Sequence, residues 1–219
     1  SSMHRFGGQV GRAISEARGK IANLVGASSD EIVFTSCGTE SDSTAIFSAL
    51  QAYPEKRHIV TARVEHPAVK SLCENIDKLT GRKHKVTQLP VDSEGMLDLQ
   101  RYEERLTDDT AIVSVMWANN ETGVILPVAA MAAIAKNKGI LFHTDAVQSV
   151  GKMRFDLGTS KINLLSLTAH KFHGPKGVGV LYIRKGTKIA QMQFGGHHEF
   201  KRRAGTENTP GIVGLAKAM

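Results

Sequence analysis

The stretch SLTAHKFHGPKGVGVL, Ser166–Leu181, decides how the sheet of this chain is built. Ser166 to Ala169 reads as the end of a buried strand, His170 and Lys171 follow at once, and a new apolar run begins at Val178. A parallel crossover takes about a dozen residues or more. The loop 169–177 is shorter, so the two strands it joins are antiparallel or not adjacent. The same stretch sets Lys171 at the carboxyl edge of a sheet, with His170 before it and His173 after it. Such a lysine is either a loop lysine facing solvent or an amine that forms a Schiff base with an aldehyde cofactor.

Outward from this stretch the pattern alternates. Ile14, Ala17, Ile21 and Leu24 have helical spacing, and EIVFT (31–35) is a short apolar strand before a helix from Thr39 to Leu50. HIVTA (58–62), HKVTQL (84–89), AIVSVM (111–116), GILFHTD (139–145), INLLSLT (162–168) and VGVLYI (178–183) read as further strands. Pro67 and Pro127 open helices, a position that suits proline, and Leu97–Leu106 reads as another helix. Apolar runs with little alternation indicate strands buried on both faces. The expected fold is α/β: about seven strands, mostly parallel with one antiparallel strand, and helices on both faces. In such a sheet ligands gather at the carboxyl ends of the strands.

Composition narrows the function classes. The chain has 219 residues, 41% hydrophobic, enough for one large core. Lys+Arg 28 against Asp+Glu 21 gives a net charge of +7. The basic clusters Arg82–Lys85 and Lys201–Arg203 are not interleaved with aromatics and match no nucleic-acid motif. The charge suits anionic small molecules or an acidic protein partner, or is simply a solvated surface. Cys37 and Cys73 make no disulfide framework, and no apolar run nears the roughly 18 residues of a membrane span. With no signal peptide visible, the expected location is the cytoplasm. The abrupt start and the stop inside the helix-like GIVGLAKAM, with no cap, give the expectation of a piece of a longer protein.

The strand ends carry the chemistry. After the first strand, Gly38 permits a tight turn and Thr39 is expected to cap a helix; the motif is either an ordinary cap or a phosphate site. After the second, His66 is either structural or a ring that stacks on a ligand and moves protons. MWANNETG (116–123) is turn chemistry or a source of hydrogen bonds to a phenolic oxygen. Asp145 ends an apolar strand, where a carboxylate needs a partner such as a protonated ring nitrogen, and Gln148 lies one helical turn on. A lysine desolvated beside a buried ligand becomes nucleophilic, which suits Lys171. A lysine, an acid for a pyridinium, a stacking histidine and a phosphate-ready helix start together match the needs of pyridoxal phosphate. FTSCGTES lacks the G-x-G-x-x-G of a nucleotide-binding Rossmann fold.

These residues fall in stretches that resemble one family, the class V aminotransferase-like cysteine desulfurases, most closely the NifS branch associated with nitrogen fixation. The stretches are SSMHRFGGQVG, EIVFTSCGTESDSTAI, VEHPAV, SVMWANNETGV, FHTDAVQSVGK, HKFHGPKGVGVLYIRKG and RRAGTEN, in the family's order along the whole chain. The resemblance implies the large pyridoxal-phosphate domain of a fold-type I transferase over residues 1–219, truncated at both ends, without the small C-terminal domain. It implies removal of sulfur from L-cysteine, leaving L-alanine and an enzyme persulfide. An iron–sulfur scaffold protein would accept the sulfur, and the enzyme would be a homodimer.

Carried over by position, Lys171 forms the Schiff base and later shuttles protons, and His66 stacks on the ring and takes part in proton transfer. Asp145 pairs with the pyridine nitrogen; Gln148 and Asn120 bind the phenolic oxygen. Gly38, Thr39, Thr168 and His170 bind the phosphate, Thr168 standing where many relatives have serine. Thr206 reaches the phosphate of a neighbouring subunit. No metal is implied. The family's catalytic cysteine and its substrate-carboxylate arginine would both lie past position 219, with Cys37 and Cys73 structural, so full turnover is not expected of these residues alone. Selenocysteine lyase shares the core, and a non-catalytic cofactor-binding or dimerisation scaffold is the third reading.

Overall fold

The computed structural model describes residues 5–219, so Ser1–His4 of the SSMHRFGGQVG stretch lie outside the described residues. Seven strands form one sheet: β1 (Ile32–Thr35), β2 (His58–Ala62), β3 (Lys85–Leu89), β4 (Thr110–Ser114), β5 (Leu141–Asp145), β6 (Leu164–Thr168) and β7 (Gly179–Ile183). Their order is β1-β7-β6-β5-β4-β2-β3. From β6 across to β3 every pair is parallel. β7 runs against both of its neighbours, with Gly179 opposite Thr35 on one side and Thr168 on the other. The short connection after Lys171 thus makes β6 and β7 adjacent and antiparallel, and β7 is the one reversed strand.

The helices are α1 (Arg5–Val25), α2 (Gly38–Ala52), α3 (Pro67–Thr80), α4 (Leu99–Arg105), α5 (Val128–Asn137) and α6 (Thr209–Ala218). Their apolar stripes sort into two clusters on opposite faces of the sheet. Ile46 and Ala49 of α2 and Val69 and Ile76 of α3 pack with Val33, Ile59 and Leu181. Ile21 of α1, Tyr102 of α4, Met131 of α5 and Leu215 of α6 pack with Phe34, Val60 and Val180. Neighbours along one strand, such as Val33 and Phe34 or Val180 and Leu181, go to opposite faces, as period-two geometry requires. Central strands buried on both sides explain why the sequence shows apolar runs rather than alternation.

Two local features differ from the sequence reading. The first turn of α2 begins at Gly38, so Thr39 lies inside it, and Cys37, in extended conformation, holds the cap position without a side-chain cap bond. Lys171 lies on a 3-10 turn, Ala169–Phe172, that ends at His173 in the left-handed region. Because β1 and β6 run the same way as β5, β4 and β2, the ends of all five open on one edge of the sheet.

Candidate functional site

That edge holds a cavity of about 290 Å³. Each parallel strand end delivers part of its wall. Cys37, Gly38 and Thr39 come from the start of α2, His66 from the start of α3, and Met116 and Asn120 from the segment after β4. Asp145, Val147 and Gln148 follow β5, and Thr168, His170 and Lys171 follow β6. Every residue singled out in the sequence lines this cavity except Thr206. That residue borders a separate cleft with Arg203, Gly205 and Asn208, so within one chain it does not meet the others.

Hydrogen bonds fix how these side chains are presented. The His66 ring caps α3: its Nδ1 accepts from the Ala68 N–H at 3.1 Å. In a neutral ring that bond places the proton on Nε2. Gln148 accepts from the Lys152 ammonium through Oε1 at 2.7 Å. Lysine only donates, so the Gln148 amide nitrogen is the free end. The two adjacent asparagines divide their work. Asn119 donates to the Val64 carbonyl at 3.0 Å and accepts from the Glu121 and Thr122 N–H groups, both at 2.9 Å. It builds the turn, and Asn120 is left to face the cavity. Thr168 Oγ1 donates to the Val178 carbonyl at 3.1 Å and lies 3.1 Å from His170 Nδ1.

The first turn of α2 meets the cavity with N–H groups that helix geometry leaves unpaired, and a helix start favours an anion. Gly38 is packed there so closely that a Cβ would come 2.9 Å from Val147 Cγ2. Lys171, His66 and Thr39 are exposed at the open mouth, whereas Asp145 and Thr168 are buried. Asp145 accepts the Val147 N–H at 2.9 Å. Burial raises its carboxyl above its ordinary value, an effect that this N–H and the His66 and Lys171 charges offset only in part. His170 is pushed down by burial and by Lys171 and Lys176.

Two buried carboxyls escaped the sequence reading. Asp42 lines the cavity itself, and Glu65 lies beside it, accepting the Met116 N–H at 2.9 Å. Burial raises both well above the carboxylate range. The signal for Asp42 was its spacing: with Gly38, Ser41, Ala45 and Ala49 it falls on the buried stripe of α2. Among the described residues no three His, Cys, Asp or Glu side chains are grouped to hold a metal ion. Cys73 is buried on α3 and pushed up to about 12 by burial, which makes its thiol inert.

A ring nitrogen requires a buried acid, a phosphate requires a helix start with free N–H groups, and an aldehyde requires an amine. Asp145, the Gly38–Thr39 turn and Lys171 supply all three around one cavity, so the residues present fit pyridoxal phosphate.

Comparison with known proteins points to one family. Cysteine desulfurase NifS of Azotobacter vinelandii is 58% identical over 219 residues, which is all of this chain and 54% of that protein. A solved structure described as a NifS-like protein superposes with a TM-score of 0.93 at 43% identity, covering 99% of this chain and 60% of the other. The structure of SspA in complex with cysteine also gives a TM-score of 0.93, at 36% identity, over 100% of this chain and 63% of that one. The chain thus spans about half the length of the curated relatives it matches. The class-V aminotransferase family pattern matches residues 1–219, and the chain belongs to that family.

Proposed function

We propose that residues 1–219 are the large pyridoxal-phosphate domain of a cysteine desulfurase, which takes sulfur from L-cysteine for iron–sulfur cluster assembly of the nitrogenase type. The observation that carries this is the meeting of Lys171, His66 and Asp145 around one cavity at the start of α2. When bound, the cofactor supplies an electron sink for the carbanion formed at the substrate α-carbon. The rest of the work belongs to the chain. The Lys171 amine, exposed at the mouth, is open to an aldehyde. Asp145 holds the charge that pairs with a protonated ring nitrogen, kept in place by the Val147 N–H.

His66, anchored through Nδ1, offers a flat face for stacking and an Nε2 proton for exchange. On this reading the free Gln148 amide and Asn120 donate to the phenolic oxygen. Gly38, Thr39, Thr168 and His170 form the phosphate end. Thr206, in its own cleft, is the residue that serves the phosphate of a neighbouring subunit in a homodimer. On this reading the enzyme works in the cytoplasm and passes sulfur to an iron–sulfur scaffold protein; no helix of the described residues is long and apolar enough to cross a membrane.

The test is a difference spectrum. Chain loaded with pyridoxal phosphate is mixed with L-cysteine, and the visible absorption should change saturably with L-cysteine and much less with L-alanine or D-cysteine. A spectrum indifferent to L-cysteine but responsive to another amino acid would move the substrate assignment elsewhere.

A further inference from the structure

Asp42 is 1% exposed, yet it lines the same cavity as Asp145. Its Oδ1 has no hydrogen-bond partner among the described residues. The nearest ring is that of His143 on β5, whose Nε2 lies 3.5 Å from Oδ1, the outer edge of hydrogen-bond length. That contact is not an ion pair. His143 is fully buried, its Nδ1 lies 2.8 Å from Ser114 Oγ and its Nε2 2.9 Å from Ser166 Oγ, and burial lowers it to about 3. The imidazole is neutral.

Besides His143, the groups facing Asp42 are the Ser166 hydroxyl, Asp145 at the end of β5, Glu65 after β2, and Cys37 at the cap of α2. None is a cation. Two carboxyls that share one desolvated space do not both ionise. The local partners are unequal. Asp145 accepts a backbone N–H and faces His66 and Lys171. Asp42 is buried with an orphaned oxygen and no backbone N–H bonded to it. A proton on Asp42 removes a buried charge that has no cation to pair with and leaves the orphaned Oδ1 on a neutral group.

We propose that Asp42 is a positioning residue for Asp145: it carries a proton, packs beside His143, and confines the single negative charge of the pair to Asp145. Its role toward the cofactor rests on the assignment of Asp145 as the ring-nitrogen partner; its protonation does not. The arrangement lets the cavity hold one localised charge, where a second would repel an anionic ligand.

The experiment has two parts. The first is carbon-13 NMR of the aspartate carboxyls in the cofactor-free chain, with Asp42 identified by through-bond correlation and by loss of its signal in Asp42→Asn. Asp42 should stay protonated at about pH 7, and its titration should move to lower pH in Asp145→Asn, which removes the neighbouring charge. An ionised Asp42 at that pH, or a titration indifferent to Asp145→Asn, overturns the proposal. Through-bond correlation keeps this readout available if Asp42→Asn folds poorly.

The second part is pyridoxal phosphate affinity. Asp42→Ala should weaken binding about tenfold, the scale of a lost hydrogen bond and an unsatisfied site. Asp42→Asn should restore most of it, because a neutral isostere suffices. If the asparagine variant binds as poorly as the alanine variant, the charge on Asp42 is in use and the proposal fails. Failure of the unaltered chain to bind the cofactor would count against the proposed function, while the carboxyl titration would still decide the state of Asp42.

Discussion

Lys152 donates to Oε1 of Gln148 across one turn, at 2.7 Å, and so turns the Gln148 amide nitrogen toward the cavity. Gln148 then has a defined end to offer a ligand oxygen. Replacing Gln148 with alanine should weaken pyridoxal phosphate binding by roughly three- to tenfold, the value of one hydrogen bond. Lys152→Ala should weaken it by about two- to threefold, since the amide becomes free to turn over. Equilibrium titration by absorbance checks both. A larger effect for Lys152→Ala than for Gln148→Ala would contradict the orientation argument.

His143 should make the protein lose stability in acid. Burial holds its pKa at about 3 in the folded state, below the 6.5 of an exposed histidine. The unfolded chain therefore takes up a proton that the folded chain refuses. The stabilisation is complete above 6.5 and is lost as pH falls toward about 3. Urea midpoints measured between about pH 7 and pH 4 should fall more steeply for the unaltered chain than for His143→Gln. Parallel slopes would mean that the ring is protonated in the fold.

Asp42 has the opposite sign. Its folded pKa is raised, chiefly by burial, so the stability it contributes is present below the unfolded value of 3.8 and is lost as pH rises. Asp42→Asn should gain on the unaltered chain from about pH 4 to pH 7, measured as the difference between the two urea midpoints. A constant difference would indicate that folding leaves the Asp42 carboxyl unshifted.

Arg18 and Glu199 tie α1 to the turn before the RRAGTEN stretch. The pair is buried and bidentate, at 2.7 and 2.8 Å, and the Phe34 N–H also donates to Glu199 at 2.7 Å. Glu199, Phe200 and Lys201 have φ of 44°, 58° and 64°, a run in the left-handed region that non-glycine residues adopt only when held there. Glu199→Ala leaves a buried guanidinium unpaired and releases this turn. It should cost about 3–5 kcal/mol by denaturant unfolding. A loss below about 1 kcal/mol would show the pair to be dispensable.

Gly179 starts β7 between Thr35 and Thr168, where backbone crowds from both sides. A Cβ there would lie 2.8 Å from the Cys37 carbonyl carbon and 2.9 Å from both the Leu167 carbonyl oxygen and Thr35 Oγ1. Gly179→Ala must shift the cap of α2, and with it the phosphate end of the cavity. A stability loss of about 1–3 kcal/mol and weaker cofactor binding should appear together. Lost affinity without lost stability would place the effect elsewhere.

Much of this was legible because the relevant signals are local. Strand β2 and the Pro67 start of α3 follow directly from HIVTA and the proline, and the short loop 169–177 left β6 and β7 either antiparallel or not adjacent, of which the structure has the first. The strand-end rule gathers His66, Asp145 and Lys171 from the sequence. What sequence did not disclose depends on packing. Thr39 looks like a cap, but the helix starts a residue earlier, at a glycine wedged against Val147. Asp42 shares the spacing of the α2 stripe, but only the packing of that stripe against β5 and β6 buries it beside His143. The separation of Asn119 from Asn120 likewise follows only from the Val64 carbonyl that claims the former.

The central claim is that Lys171 is the residue to which pyridoxal phosphate attaches. The most direct test is to add the cofactor, reduce with borohydride and map the modified peptide, in the unaltered chain and in Lys171→Ala. Because Lys171 is exposed, the substitution should change stability by no more than about 0.5 kcal/mol. The account predicts a visible absorption band and a label confined to Lys171, both absent from a folded Lys171→Ala chain. A label on another lysine, or a band that survives the substitution, would contradict it.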